Sequence, residues 1–338
     1  MMILCVIAGV ILLTYLGIYF YTEISCRKKS QAHPLFYVPE NLYIGDLHCH
    51  SAYSEDGVFS VKQIINYAKD AGLDFLAITD HNENRAMKDD PKDAEVTMLQ
   101  GSECSLDESC GHFNVLGIED IELAPDMLKK DEITSYMNRM KAKGARIQIN
   151  HPFANTLSWS VGWDIPYDYI EVWNRSYNAA NQRAVDFWHE LLCQGKHITA
   201  TGGTDAHYNK SERYPLNGVY AKECTPDDIL AALDHGHSFV TECSYGPWIQ
   251  LKSGESIMGD EISVDESTEL EIFVEHIELG YTVSLLSDKG ELFNEVANEK
   301  AYYKKIREIE CAKFYRVEVR RANGVMAALS NPIYVKSR

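Results

Sequence analysis

The stretch Gly45-Asp46-Leu47-His48-Cys49-His50-Ser51 decides how this chain is read. It ends a predicted strand, and side chains along a strand alternate between faces. His48 and His50 therefore point to one side and Cys49 to the other. Two imidazoles aimed at one point can hold a metal ion. Alone the pattern is weak, because the 338-residue chain carries 12 histidines. Its weight comes from the residues that follow.

Outward from this stretch the chain alternates strands and helices. Ser60-Val61-Lys62-Gln63 is a capping box, opening a helix with Ile64, Ile65 and Ala68 on one face and Gly72 past its end. Phe75–Thr79, Arg146–Asn150, Tyr169–Trp173 and His197–Thr201 are short strands. A helix through Met137, Met140 and Lys141 precedes the second of these. Another, from Asn178 to Gly195, precedes the last. Thr225-Pro226 supplies an N-cap and first helical residue, and Gly236 a stop. Such alternation predicts a parallel sheet or barrel. After Pro247 it gives way to short strands at 269–274, 282–286, 314–320 and 333–335, with one helix expected over 295–309. Residues 41–244 thus read as an α/β domain and 245–338 as a small β-rich, sandwich-like domain.

A formal net charge of −18 argues against a binder of long nucleic acids, which needs basic patches. The 9 cysteines are scattered without C-x-x-C, so neither a disulfide scaffold nor a zinc ribbon is expected. Residues 2–21 are uncharged and apolar, about the length of a membrane-spanning helix. Tyr15, Tyr19 and Tyr21 gather at its far end, and Arg27, Lys28 and Lys29 follow. Residues 1–22 read as a single-pass anchor and 23–40 as a linker. The basic cluster places the main domain in the cytoplasm.

Polar residues recur just after predicted strands: Asp56, His81 in Thr79-Asp80-His81-Asn82, Glu103, His112, His151 in Asn150-His151-Pro152, and Asp205 and His207 in Thr204-Asp205-Ala206-His207. Strand ends are where a β/α barrel carries its functional groups. Six histidines and three carboxylates in that register exceed what a solvated surface explains. Arg175 and Arg213 are candidate clamps for a substrate phosphate. Asp46 and Asp80 stand beside the histidines as candidates to orient them.

Through these motifs the chain resembles the PHP (polymerase and histidinol phosphatase) family of metal-dependent phosphoesterases. Within it, the chain is similar to the carbaryl-hydrolase-like metallohydrolase branch. The resemblance spans residues 41–244, and more loosely Asn331-Pro332-Ile333-Tyr334-Val335. It implies a distorted seven-stranded (β/α) barrel with three divalent metals at its mouth. His48, His50, Glu103 and Asp205 would hold one; Glu103 would bridge to a second held by His112 and His151; Asp56, His81 and His207 would hold the third. Imidazole and carboxylate without thiolate suit Mn, Fe or Zn. The implied activity is hydrolysis of a small phosphomonoester by a metal-bridging hydroxide, with Asp205, His151 and Glu103 at the catalytic centre. A carboxylic ester or carbamate hydrolase with the same metals, and an idle scaffold binding a partner at the membrane, are the alternatives.

Overall fold

The computed structural model describes residues 41–89, 95–106, 110–123, 128, 130–208, 214–265, 267–307, 309 and 311–336. The anchor expected over residues 1–22 and the linker over 23–40 lie outside the described residues. Among the described residues, no helix is long and apolar enough to cross a membrane.

The first part of the chain alternates as expected: β1 (Leu42–Cys49), α1 (Val61–Asp70), β2 (Phe75–Ile78), β3 (Thr97–Leu99), β4 (Gly101–Ser105), β5 (His112–Leu116), α2 (Lys130–Ala142), β6 (Arg146–Asn150), β7 (Tyr169–Asn174), α3 (Ala179–Cys193), β8 (Thr199–Gly203), β9 (Leu216–Tyr220), α4 (Pro226–His235) and β10 (Ser238–Thr241). Local chemistry fixes the helix starts. Ser60 and Gln63 form the reciprocal capping box, Asn178 accepts from the amides of Ala180 and Asn181, and Thr225 accepts from Asp228. Gly236, in the left-handed conformation, closes α4.

The remainder is strands: β11 (Trp248–Ser253), β12 (Ser256–Ile257), β13 (Glu261–Ile262), β14 (Leu270–Glu275), β15 (Thr282–Ser287), β16 (Gly290–Val296), β17 (Tyr302–Ile306), β18 (Phe314–Arg320), β19 (Met326–Ser330) and β20 (Ile333–Val335). The helix expected over 295–309 does not form. Tyr302–Ile306 instead pairs antiparallel with β14 along its length, its residues alternating between partly buried and exposed. Pairing with a distant strand overrides the helix-favouring Glu and Lys content of this segment.

Three sheets result. One runs β13-β20-β18-β19-β10-β9-β1-β2-β3, with β15 and β16 attached at β18; the others are β4-β5-β6-β7-β8 and β12-β11-β14-β17. Because β10 pairs with β19, the large sheet runs without a break past residue 245. It packs against β11, β14 and β17 across a core that includes Ile249, Leu251, Ile272, Val283, Val317 and Ile333.

The strands around the site do not form one closed ladder. The large and five-stranded sheets meet through two single bridges, Cys49 to Ala206 and His81 to Glu103. Two asparagine side chains add to these links. The Asn217 amide accepts from the Gly202 N–H and donates to its carbonyl, at 2.9 and 2.7 Å. Asn331 does the same for Ala200, at 2.8 and 3.1 Å, and also donates to Ser238. Each amide stands in for a strand along the free edge of β8, satisfying backbone groups that would otherwise be buried and unpaired.

Candidate metal centre

The two halves of the β/α region turn their strand ends to one rim. β1 ends at Cys49, with His50 just beyond; β6 ends at Asn150, with His151 just beyond; β8 ends before Asp205 and His207. Two positions depart from the strand-end expectation. Glu103 lies in the middle of β4, and His112 begins β5. β5 runs antiparallel to both β4 and β6, pairing His112 with Ser105 and Asn150, so its first residue reaches the rim at which β6 ends.

Glu103 is the hub. Its carboxylate lies 3.4 Å from His48 Nε2, 3.2 Å from His50 Nε2, 3.1 Å from His81 Nδ1, 3.1 Å from His112 Nδ1 and 3.5 Å from His151 Nε2. Asp205 approaches His48 and His50 at 3.7 and 3.4 Å. Asp56 reaches His207 Nε2 at 2.8 Å and His81 Nε2 at 3.5 Å. Gly57 holds the Asp56 loop in place: a β-carbon there would overlap the carbonyl oxygen of Ser51. All nine residues named from the sequence are thus together. Donor atoms cluster as His50, Asp56, His81 and His207; as His48, His50 and Glu103; as His48, His151 and Asp205; and as His81, Glu103 and His112.

The donor set fits divalent ions. Nε2 of His48 and of His50, Oε2 of Glu103 and Nδ1 of His151 are buried without a hydrogen-bond partner. Stranding such atoms costs roughly 1–3 kcal/mol each unless something else meets them. Imidazole and carboxylate without thiolate is the chemistry of Mn, Fe and Zn sites. Other ring nitrogens are tied down: His50 Nδ1 meets Ser54 Oγ at 3.1 Å, and His81 Nδ1 meets Ser105 Oγ at 2.7 Å.

Electrostatics concentrate here. Burial would depress the His48 imidazolium, but the carboxylates of Glu103, Glu171 and Asp205 outweigh it and hold the ring well above the ordinary histidine range. His50 is likewise lifted, against burial, to about 9 by the carboxylates of Asp205 and Glu103 beside it. His81 and His207 go the other way, lowered chiefly by burial. The surrounding imidazoles overcome burial and keep the Glu103 carboxyl well below its usual value.

The backbone is strained at the same place. Asn82, His151, Arg175 and Asp205 have φ of 49, 28, 52 and 46°, four of the five non-glycine residues with positive φ among those described. Such conformations cost about 1–3 kcal/mol each and gather at functional sites.

Arg175 reaches Asp205 Oδ2 through Nε at 3.1 Å and His207 Nδ1 through Nη2 at 2.9 Å. Arg213 lies outside the described residues. Asp46 and Asp80 touch no imidazole. Asp46 instead accepts from the His48 and Thr204 amides at 3.1 Å, and Asp80 from the amide and hydroxyl of Ser51. Cys49 packs beside Val61, Ile64 and Ile78, as alternation predicts.

Sequence reasoning missed two residues of the site. Glu171, within β7, bonds His48 Nδ1 at 2.9 Å. Asn150 donates to Glu103 Oε1 and to Asn114 Oδ1, both at 2.8 Å. The available signal was an acidic residue inside the apolar run Tyr169-Ile170-Glu171-Val172-Trp173: a buried carboxylate requires a partner.

Residues 46–150 match the PHP domain family model. Among solved structures, the chain is similar to a two-domain protein from Bacteroides vulgatus containing a predicted PHP-like metal-dependent phosphoesterase. That match has a TM-score of 0.51 and 20% identity, over 90% of this chain and 99% of that one. At that identity the likeness is one of fold. Weaker likenesses are to an endonuclease Q in complex with a 27-mer duplex bearing an abasic lesion and to an amidohydrolase from Chromobacterium violaceum. The first has a TM-score of 0.45 and 19% identity over 57% of this chain and 56% of that one. The second has a TM-score of 0.36 and 15% identity over 48% and 87%. No curated protein matches the sequence significantly.

Proposed function

We propose that the chain is a metal-dependent hydrolase that cleaves a small phosphomonoester. One observation carries the reading: five imidazoles converge on the buried carboxylate of Glu103 within 3.1–3.5 Å, with unpaired buried donor atoms among them. The PHP domain match over residues 46–150 supports it.

His48, His50, Asp56, His81, Glu103, His112, His151, Asp205 and His207 would hold the ions, three in this reading. Bound there, divalent cations supply Lewis-acid charge and lower the pKa of water, so that water attacks phosphorus at neutral pH. The chain's own residues do the rest. Glu103 and Asp205 bring negative charge into the ring of imidazoles and hold them in one cluster. Arg175, poised over Asp205 and His207 with its side chain 43% exposed, offers a guanidinium to a substrate phosphate. The seven strands β1, β2 and β4–β8 act as a distorted barrel, whose rim fixes these groups on rigid elements.

The test is phosphate release from a panel of phosphomonoesters by the full-length protein with added Mn²⁺. Release by wild type that Asp205→Asn lacks is the expected result. A fully metallated protein that releases none would shift the reading to carbonyl esters.

A further inference from the structure

We propose that Glu171 is the positioning residue of the metal centre, fixing which nitrogen of His48 faces the ions and pinning His151 beside it. This rests on the reading of the site as a metal centre. Glu171 is buried within β7, between β6, which leads to His151, and β8, which leads to Asp205. Its Oε1 meets His48 Nδ1 at 2.9 Å; its Oε2 accepts from the His151 backbone N–H at 2.7 Å and from Asn174 Nδ2 at 3.1 Å. The last two partners can only donate, so Oε2 acts as an acceptor. With the carboxylate accepting through both oxygens, the proton of the contact sits on His48 Nδ1. His48 Nε2 is then the nitrogen that turns to Glu103 and Asp205, where it is buried and has no hydrogen-bond partner, and its lone pair goes to an ion that displaces its proton.

The second oxygen does a different task. His151 holds a φ of 28°, a conformation a histidine rarely adopts unsupported. The bond from its N–H to Oε2 ties that strained turn to the group that orients His48. One side chain thus sets two candidate ligands that arrive from different sheets, and whose rings lie 5.9 Å apart. The packing leaves the carboxylate no other place. A β-carbon at Gly203 would overlap Oε1, so β8 approaches this closely only as glycine.

The charge-neutral isostere separates the two demands. In Glu171→Gln the amide oxygen can face His151 N–H and Asn174. Its NH₂ then donates to His48 Nδ1 and moves the ring proton to Nε2, the nitrogen a metal needs. The experiment uses the full-length protein. Mn²⁺ binding is titrated calorimetrically for wild type, Glu171→Gln, Asn174→Ala and Asp205→Asn. The tautomer of His48 is read from ¹⁵N-histidine resonances of the metal-free protein at alkaline pH, where the ring has lost its second proton, assigned by their loss in His48→Gln. We expect Glu171→Gln to bind Mn²⁺ about 10- to 100-fold more weakly and to show the Nε2–H tautomer. Asn174→Ala, which leaves the carboxylate in place, should lose less and keep the wild-type tautomer. Glu171→Gln binding Mn²⁺ as wild type does, with the His48 tautomer unchanged, would overturn the proposal and leave the metal centre standing. A wild type that binds no Mn²⁺ would overturn both.

Discussion

Gly203 lies so close to Glu171 that a β-carbon would overlap the carboxylate Oε1, and it would also sit 2.5 Å from the β-carbon of His48. Neither neighbour can yield, since both are buried and bonded to each other. Gly203→Ala should therefore destabilise the metal-free protein by about 1–3 kcal/mol, the usual cost of overpacking. Urea unfolding in the presence of chelator measures it. A variant as stable as wild type would mean that β8 can move away, and that the site is looser than these contacts imply.

Asp205 combines a φ of 46°, a backbone N–H bonded to the His48 carbonyl at 2.7 Å, and a carboxylate shared among His48, His50 and Arg175. Asparagine tolerates the left-handed conformation about as well as aspartate, so Asp205→Asn should keep the fold. Its hydrolytic rate should fall at least ~100-fold, as expected when a ligand charge is lost. Phosphate release and a thermal melt on the same sample decide. A variant keeping a tenth or more of the activity would remove Asp205 from the ligand set.

Much of this was legible in the sequence because it depends on local chemistry. The H-x-H spacing needs only strand alternation, and the caps of α1, α3 and α4 need only their own side chains. What was not legible depends on distant strands. His112 reaches the rim because β5 runs antiparallel to both neighbours, which no local pattern encodes. Tyr302–Ile306 is a strand because β14 is there to pair with it. No local pattern shows that Asn217 and Asn331 complete the edge of β8, although Asn331 opens a stretch quoted for the family resemblance.

Asn331 carries a prediction of its own. Its amide serves both the N–H and the carbonyl of Ala200 and donates to the carbonyl and hydroxyl of Ser238, joining the segment after β19 to the strand beneath the site. Asn331→Ala would leave these buried backbone groups unmet, at a cost of about 2–3 kcal/mol. Chemical denaturation should show that loss, and Asn331→Asp should recover only the bond from the Ala200 N–H. An alanine variant within ~0.5 kcal/mol of wild type would mean the amide is replaceable there, as at an ordinary surface position.

Acid stability should trace to Glu318. Burial would raise its carboxyl, but Arg316 and Arg320 outweigh burial and hold it below the ordinary value of 4.5. Arg316 Nη1 bonds it at 2.8 Å and Arg320 Nη2 at 2.7 Å. A carboxyl lowered in the folded state contributes fully above its unfolded value. That contribution fades as the pH falls through 4.5 toward the lower folded value. Glu318→Gln should cost roughly 3 kcal/mol at pH 7, because it leaves the buried Arg316 guanidinium without its carboxylate partner. It should also flatten the decline below pH 4.5. Unfolding free energies from pH 7 to pH 3 test both, and parallel pH curves for the two proteins would exclude Glu318 as the source.

Metal should stabilise the protein, and by an amount that depends on which carboxylate is present. At a concentration 100 times its dissociation constant, an ion bound only to the folded state adds about 2.7 kcal/mol. Mn²⁺ should therefore raise the melting temperature and chelator reverse the rise. Glu103 belongs to two of the four donor clusters, His48-His50-Glu103 and His81-Glu103-His112, whereas Asp56 belongs to one. Glu103→Gln should thus lose more of the Mn²⁺-dependent shift, and more bound metal by elemental analysis, than Asp56→Asn. Neither should abolish the shift, because the His48-His151-Asp205 cluster contains neither residue. Equal Mn²⁺ stabilisation of Glu103→Gln and wild type would show that the carboxylate organises the imidazoles without binding metal, and the hub of the proposed centre would have to lie elsewhere.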